Sequence, residues 1–258
     1  MATQLKTPSV QDQVTPEEWA LRVDLAAAYR LVAHHGWDDL IFTHLSVRVP
    51  GPEHHFLINP YNLMFEEITA SSLVKIDVEG HPVMETPYMT NPAGFTIHSA
   101  IHMARDDAHA VMHVHTKAGQ AVSAQADGLL PITQTAMLIR DEVTYHEYEG
   151  VATDIEERER LVADLGPVKR AMILRNHGTL AVGATVAECF INLYYLERAC
   201  EAQVMALSAG RDGLYNPPQG TPEKAAGQGK AGLGLVANKL AWPALLRKLD
   251  RIDSSFRD

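Results

Sequence analysis

The stretch Ala110–Gly119 reads AVMHVHTKAG. Ala110–His115 is apolar and β-branched, the pattern of a strand, and Lys117–Ala124 follows as a helix. With Val111, Met112 and Val114 around them, His113 and His115 lie in a strand that belongs at the centre of a sheet. Residues i and i+2 of a strand point to one face, so both imidazoles converge on the same side. That is the spacing a divalent ion takes from two ligands on rigid backbone. Two histidines in a core strand are costly unless something satisfies them. A metal ion does so; hydrogen bonds to core carbonyls, or a wet strand end, are the other readings.

A second apolar strand, Ala171–Leu174, leads into Arg175-Asn176-His177-Gly178, where the glycine allows a sharp turn. His177 is there a candidate third nitrogen, or else part of a plain surface turn. Three protein ligands with open positions make a catalytic rather than a structural metal site. His98 and His102, four apart on a helix from Asn91-Pro92 through Met103, share a face. His34, His35, His54 and His55 read as surface residues, and His81, His109 and His146 as residues of turns or loops.

Further out, Thr15 with Pro16 signals a helix start, with Glu18 closing a capping box, and the helix runs through Val32 to a stop at Gly36. Strands are read at Ile41–Val49 and His55–Asn59, with a short one ending the segment Thr69–Asp77. A charged amphipathic helix spans Asp154–Leu165, and Thr185 with Glu188 caps a long helix to about Leu207. The stretch from Ala124 to Glu149 is ambiguous. Residues 1–13 read as disordered, 14–209 as one α/β domain, and 210–258 as a tail. Within the tail, Gly210–Gly234 reads as a linker or flexible arm, followed by a short helix around Trp242–Leu249.

The 258 residues are 46% hydrophobic and 21% charged, an ordinary soluble composition. No apolar run is long enough to span a membrane, and the N-terminus lacks the apolar segment of a signal peptide. Cys189 and Cys200 make no disulfide framework, which fits a reducing cytoplasm. A net charge of −10 argues against nucleic acid or an anionic membrane as partner. Thirteen histidines are the count that stands out. Walker-type phosphate loops, GxGxxG, GxSxG and CxxC are all absent.

Five stretches taken in order, Ile41–Arg48 (IFTHLSVR), Phe56–Gly80, Asn91–His102 (NPAGFTIHSAIH), Ala110–Gly119 and Ile173–Gly178 (ILRNHG), resemble the class II aldolase/adducin family over Trp19–Gly210. TASSLVKID and GFTIHSAIH are closer to its adducin-like branch. The resemblance implies a three-layer α/β/α sandwich around a largely antiparallel sheet, and a homotetramer with sites between subunits. It also implies one divalent ion per chain, zinc first and Fe2+ or Mn2+ as alternatives, on His113, His115 and His177. Two departures stand out. Gly94 occupies the place of the acidic acid/base residue, and Thr43-His44 the place of a phosphate-holding Gly-Asn pair. His98, one helical turn from Gly94, is the candidate replacement acid/base, with Tyr145 and Tyr148 as further candidates. The function this implies is a metal-dependent lyase, aldolase or decarboxylase, acting on a small non-phosphorylated oxo-acid or hydroxy-carbonyl compound through a metal-stabilised enediolate. A non-heme iron oxygenase on the same fold and a non-catalytic adducin-like binding protein are the competing readings.

Overall fold

A computed structural model of the chain describes residues 7–90, 92–150 and 155–258. Asn91 and Asp154, where two helices are expected to begin, lie outside the described residues, as does 1–6 of the expected disordered segment. Among the described residues, β1 (His44–Arg48), β2 (Phe56–Ile58), β3 (Val74–Ile76), β4 (Ala110–Val114), β5 (Val143–His146), β6 (Ala171–Leu174) and β7 (Gly178–Gly183) form one sheet. Its order is β3-β2-β1-β4-β7-β6-β5. Every adjacent pair is antiparallel except β5 with β6.

Alternation along each strand sorts the core into two layers. Leu45, Val47, Met112, Val114 and Ala181 face α1 (Pro16–His34) and α6 (Val186–Ala206). Val143, Ala171 and Ile173 continue that layer beneath α3 (Lys117–Ser123) and α4 (Gln134–Ile139). Val111, Met172, Leu174, Leu180 and Val182 face the other way, onto α2 (Pro92–Ala104) and α5 (Ile155–Leu165). Helices therefore cover both faces, which is why strands such as β6 and β7 are apolar throughout. β7 is absent from the strands read in the sequence. Gly-Thr-Leu-Ala-Val-Gly is short and bounded by glycines, and its pairing with β4 and β6 is a tertiary fact.

The helix-start signals act as capping predicts. Thr15 Oγ1 accepts from Glu18 N–H at 3.2 Å and Thr185 Oγ1 from Glu188 N–H at 3.0 Å. Glu18 does not close a box; it is buried and holds Arg22 and Lys75 at 3.0 and 2.8 Å.

Two expectations are corrected. Of the segment expected to be disordered, residues 7–13 lie on the body, with a 3-10 turn at Gln11–Gln13 and the Thr7 hydroxyl 2.5 Å from that of Tyr88. The Gly-rich tail is no flexible arm. It forms α7 (Thr221–Val236), a π-helical turn at Ala237–Ala241 and α8 (Trp242–Ile252). Trp242, Leu249 and Phe256 are buried against the core, and Trp242 Nε1 donates to Asp24 at 2.9 Å. Glycine serves close approach here rather than mobility. A Cβ on Gly229 would lie 2.1 Å from the Leu138 carbonyl oxygen of α4, whereas nothing lies within 4 Å of one on Gly227 or Gly232.

Gly229→Ala should therefore lower the unfolding free energy by about 1–3 kcal/mol through overpacking. Gly227→Ala and Gly232→Ala should raise it by roughly 0.5–1 kcal/mol through helix propensity. Urea denaturation of the three variants checks this; equal behaviour would mean that α7 is not seated on α4.

Candidate metal centre

His113 is the fourth residue of β4 and lies on its α2-facing side; Val114 ends the strand, and His115 follows it. His177 enters from the turn between β6 and β7. The Nε2 atoms of His113 and His115 are 2.9 Å apart, and those of His115 and His177 are 2.8 Å apart. The turn that delivers His177 is made by Asn176 in the left-handed region at φ 55°, not by Gly178 as the sequence suggests. Gly178 is needed for space. A Cβ there would lie 2.5 Å from the Val114 carbonyl oxygen and 3.1 Å from the His115 ring.

Hydrogen-bond partners fix which nitrogen carries the hydrogen. His113 Nδ1 is 2.8 Å from the Thr179 carbonyl, which can only accept, so the hydrogen is on Nδ1 and Nε2 bears a lone pair. His115 Nδ1 is 3.1 Å from the Asp39 carboxylate, which assigns it the same way. Two lone pairs 2.9 Å apart repel unless a cation lies against both. Burial and the neighbouring rings hold His113 well below the ordinary imidazole range, and burial with His115 and His146 brings His177 down to about 4. Both rings are neutral at physiological pH, the state a metal ion requires. The carbonyl behind His113 and the carboxylate behind His115 are the usual outer arrangement of metal-binding histidines.

Behind the triad, on the same face of the sheet, lies a second row of imidazoles. His44 pairs in register with His113, and its ring is 5.8 Å from that of His113 and 4.2 Å from that of His98. His98 is fully buried rather than on a helix surface. His102 Nδ1 donates to the Ala108 carbonyl at 2.7 Å, so its Nε2 accepts from Ser46 Oγ at 2.7 Å. Ser46 Oγ in turn accepts from His98 Nδ1 at 2.7 Å, which leaves His98 Nε2 a buried lone pair without a partner. The strand read at Ile41–Val49 could have flagged His44 and Ser46 as sharing a face.

The tyrosines separate. Tyr148 is half-exposed, with its ring 5.7 Å from that of His177. Tyr145 turns to the opposite face of β5 from His146; its hydroxyl accepts from Leu129 N–H at 3.0 Å, and Arg175 lies over its ring. His146, read as a loop residue, is buried at the end of β5, with Nδ1 2.8 Å from Asp164. His35, read as surface, stacks on Trp37 at 4.6 Å, and its pKa is lowered to about 4, chiefly by burial.

Comparison with known proteins adds the lineage. The family described as Class II Aldolase and Adducin N-terminal domain matches residues 23–204. A Caulobacter vibrioides protein named for aldolase class 2 is 58% identical over 254 residues, covering 98% of each chain. Rattus norvegicus alpha-adducin is 42% identical over 247 residues, which are 91% of this chain but 34% of the adducin. The crystal structure of an aldolase II superfamily protein from Pseudomonas syringae superposes with a TM-score of 0.91 at 51% identity, covering 97% of this chain and 100% of that one. Among the described residues no helix is long and apolar enough to cross a membrane.

The buried imidazoles make stability acid-sensitive. His102, pushed down to about 3 by burial, stays neutral in the fold while the unfolded chain takes up its proton below the ordinary value of 6.5. Stability contributed by the neutral ring is thus complete above 6.5 and is lost as pH falls towards 3. His35, His98 and His113 act in the same sense. Glu197, raised to about 7 by burial, and Asp24, also raised by burial, act oppositely, but they are two groups against several. The urea midpoint of the metal-free protein should be lower at pH 4.5 than at pH 7.5; an equal or higher midpoint would contradict the burial of neutral imidazoles.

Proposed function

Because the chain belongs to the class II aldolase and adducin family, we propose that it is a metal-dependent carbon–carbon lyase of the aldolase or decarboxylase type. Its substrate is a small non-phosphorylated oxo-acid or hydroxy-carbonyl compound, its ion zinc, and its assembly a homotetramer. The observation that carries the reading is the encounter of the His113 and His115 Nε2 atoms, with His177 beside them, a donor set of three imidazole nitrogens that suits zinc. When bound there, a divalent ion supplies Lewis acidity that stabilises negative charge developing beside a carbonyl as a bond to carbon breaks.

The chain's own residues do the rest. Asp39 and the Thr179 carbonyl hold two of the rings in the tautomer that offers Nε2. Thr43 and His44 occupy the position that holds phosphate in sugar-phosphate members. Thr43 is a β-branched residue at φ 66°, with a buried hydroxyl that has no protein partner. A hydroxyl and an imidazole supply neither a guanidinium nor an ammonium to a phosphate, which supports a non-phosphorylated substrate. His98 is the proton acceptor in this reading: its assigned tautomer leaves the lone pair on Nε2, and burial makes it a weak base that readily returns the proton. Tyr148, half-exposed beside His177, is the group able to donate from the solvent side.

His115→Ala should remove most of the metal, which elemental analysis of the purified protein reads as a fall from about one ion per chain, while circular dichroism stays unchanged. Full occupancy in that variant would refute the ligand assignment. His98→Gln should keep the metal and lower turnover on a panel of oxo-acids by roughly 10²–10⁴-fold. Unchanged turnover would eliminate His98, and loss of metal would make it a ligand. Running the panel with and without oxygen separates a lyase from an iron oxygenase, since only the latter fails anaerobically.

A further inference from the structure

Glu197 lies in α6, on the face of the sheet opposite the triad, and is fully buried. Its two carboxylate oxygens accept from the hydroxyls of Thr116 and Thr179. Thr116 directly follows His115 in the chain. Thr179 is two residues beyond His177, and its carbonyl takes the His113 Nδ1 hydrogen. One carboxylate therefore ties together both chain segments that carry the three imidazoles. Since the Thr116 oxygen already accepts from Gly119 N–H at 2.8 Å, its own hydrogen is directed to Glu197. The space is closed to any other side chain. A Cβ on Gly119 would lie 2.9 Å from Thr116 Oγ1 and 3.2 Å from Glu197 Oε1.

Burying a carboxylate with two neutral hydroxyls as partners is an expensive way to fill a core position that leucine or glutamine would fill. Burial also raises the Glu197 carboxyl to about 7, so the fold bears that cost at neutral pH. Groups kept at such expense require an account. We infer that Glu197 is a positioning residue of the metal centre, clamping Thr116 and Thr179 so that His113, His115 and His177 are held at convergent geometry through the sheet. This rests on the metal reading above. The carboxylate reaches no ligand ring; it acts on the peptide units on either side of them, setting the exit direction of His115 from β4 and the position of the Thr179 carbonyl behind His113. Support of this kind from outside the ligand shell changes metal affinity by about 10–100-fold.

The test uses Co2+ as the probe, with affinity from chelator competition and site geometry from the visible d–d spectrum. Wild type, Glu197→Ala, Glu197→Gln and Thr179→Val are compared, with folding checked by circular dichroism. Thr179→Val keeps the shape and the carbonyl but removes the hydroxyl. The expected result is Co2+ affinity weakened about 10–100-fold in Glu197→Ala and Thr179→Val, with an altered spectrum. Glu197→Gln, which can still pair with both hydroxyls once one of them reorients, should recover most of that affinity. If wild type binds Co2+ while folded Glu197→Ala and Thr179→Val match it in affinity and spectrum, the clamp is overturned and the metal reading stands. If Glu197→Ala fails to fold, Thr179→Val decides alone. If wild type itself takes up no Co2+, the metal reading fails and the clamp fails with it.

Discussion

A neutral imidazole has one hydrogen to give and one lone pair to satisfy, and a ring sealed from water must find partners for both within the fold. Most of the histidines that matter here meet this constraint on one face of a sheet covered by helices on both sides. The Thr179 carbonyl decides the tautomer of His113, Asp39 that of His115, and the Ala108 carbonyl, through His102 and Ser46, that of His98. Each assignment propagates outward and ends on an Nε2 lone pair. His113 and His115 end on one another, and His98 ends on nothing. Satisfaction of buried polar groups is so nearly complete in proteins that such endings mark places where something else belongs.

The opposite face of the sheet contributes differently. Beneath the ligand-bearing turns its packing is largely apolar, and there Thr179 and Glu197 reach each other. Backbone constraints sharpen the same region. Thr43 at φ 66° and Asn176 at φ 55° are non-glycine residues in left-handed backbone, each next to a histidine of the site. Such conformations are held in place by their surroundings and gather at functional positions. Gly178 completes the arrangement by omission, since any side chain there would push the Val114 carbonyl and the His115 ring apart. Precision in this site therefore comes from packing on both faces of one sheet.

Family membership narrows the chemistry without naming the substrate. Proteins named for aldolase and for adducin both stand close to this chain, so the fold alone does not separate catalysis from binding. What favours the lyase reading proposed above is the local inventory: imidazole nitrogens facing each other, a carboxylate behind one ring, a half-exposed tyrosine beside another. In the proposed lyase, glycine at position 94 leaves His98 as the candidate for proton transfer, and the hydrogen-bond chain through Ser46 puts its hydrogen on Nδ1.

Much of this was legible from the residues. Period-two patterning placed β4 at the centre and His113 with His115 on one side, and capping residues marked α1 and α6. The resemblance carried His177 to the same place. These are local signals, and each depends on neighbours within a few positions. The structure alone decided the rest. β7 emerged from a six-residue run because β4 and β6 flank it. Glycines 227, 229 and 232, which read as a linker, lie in a helix because one of them sits against the Leu138 carbonyl. His44, His98 and Glu197 acquired their surroundings from residues that are distant in the chain. A sequence states which groups can donate, accept or coordinate; which of them meet, and which hydrogen each one keeps, depends on contacts between strands and helices that no local pattern encodes.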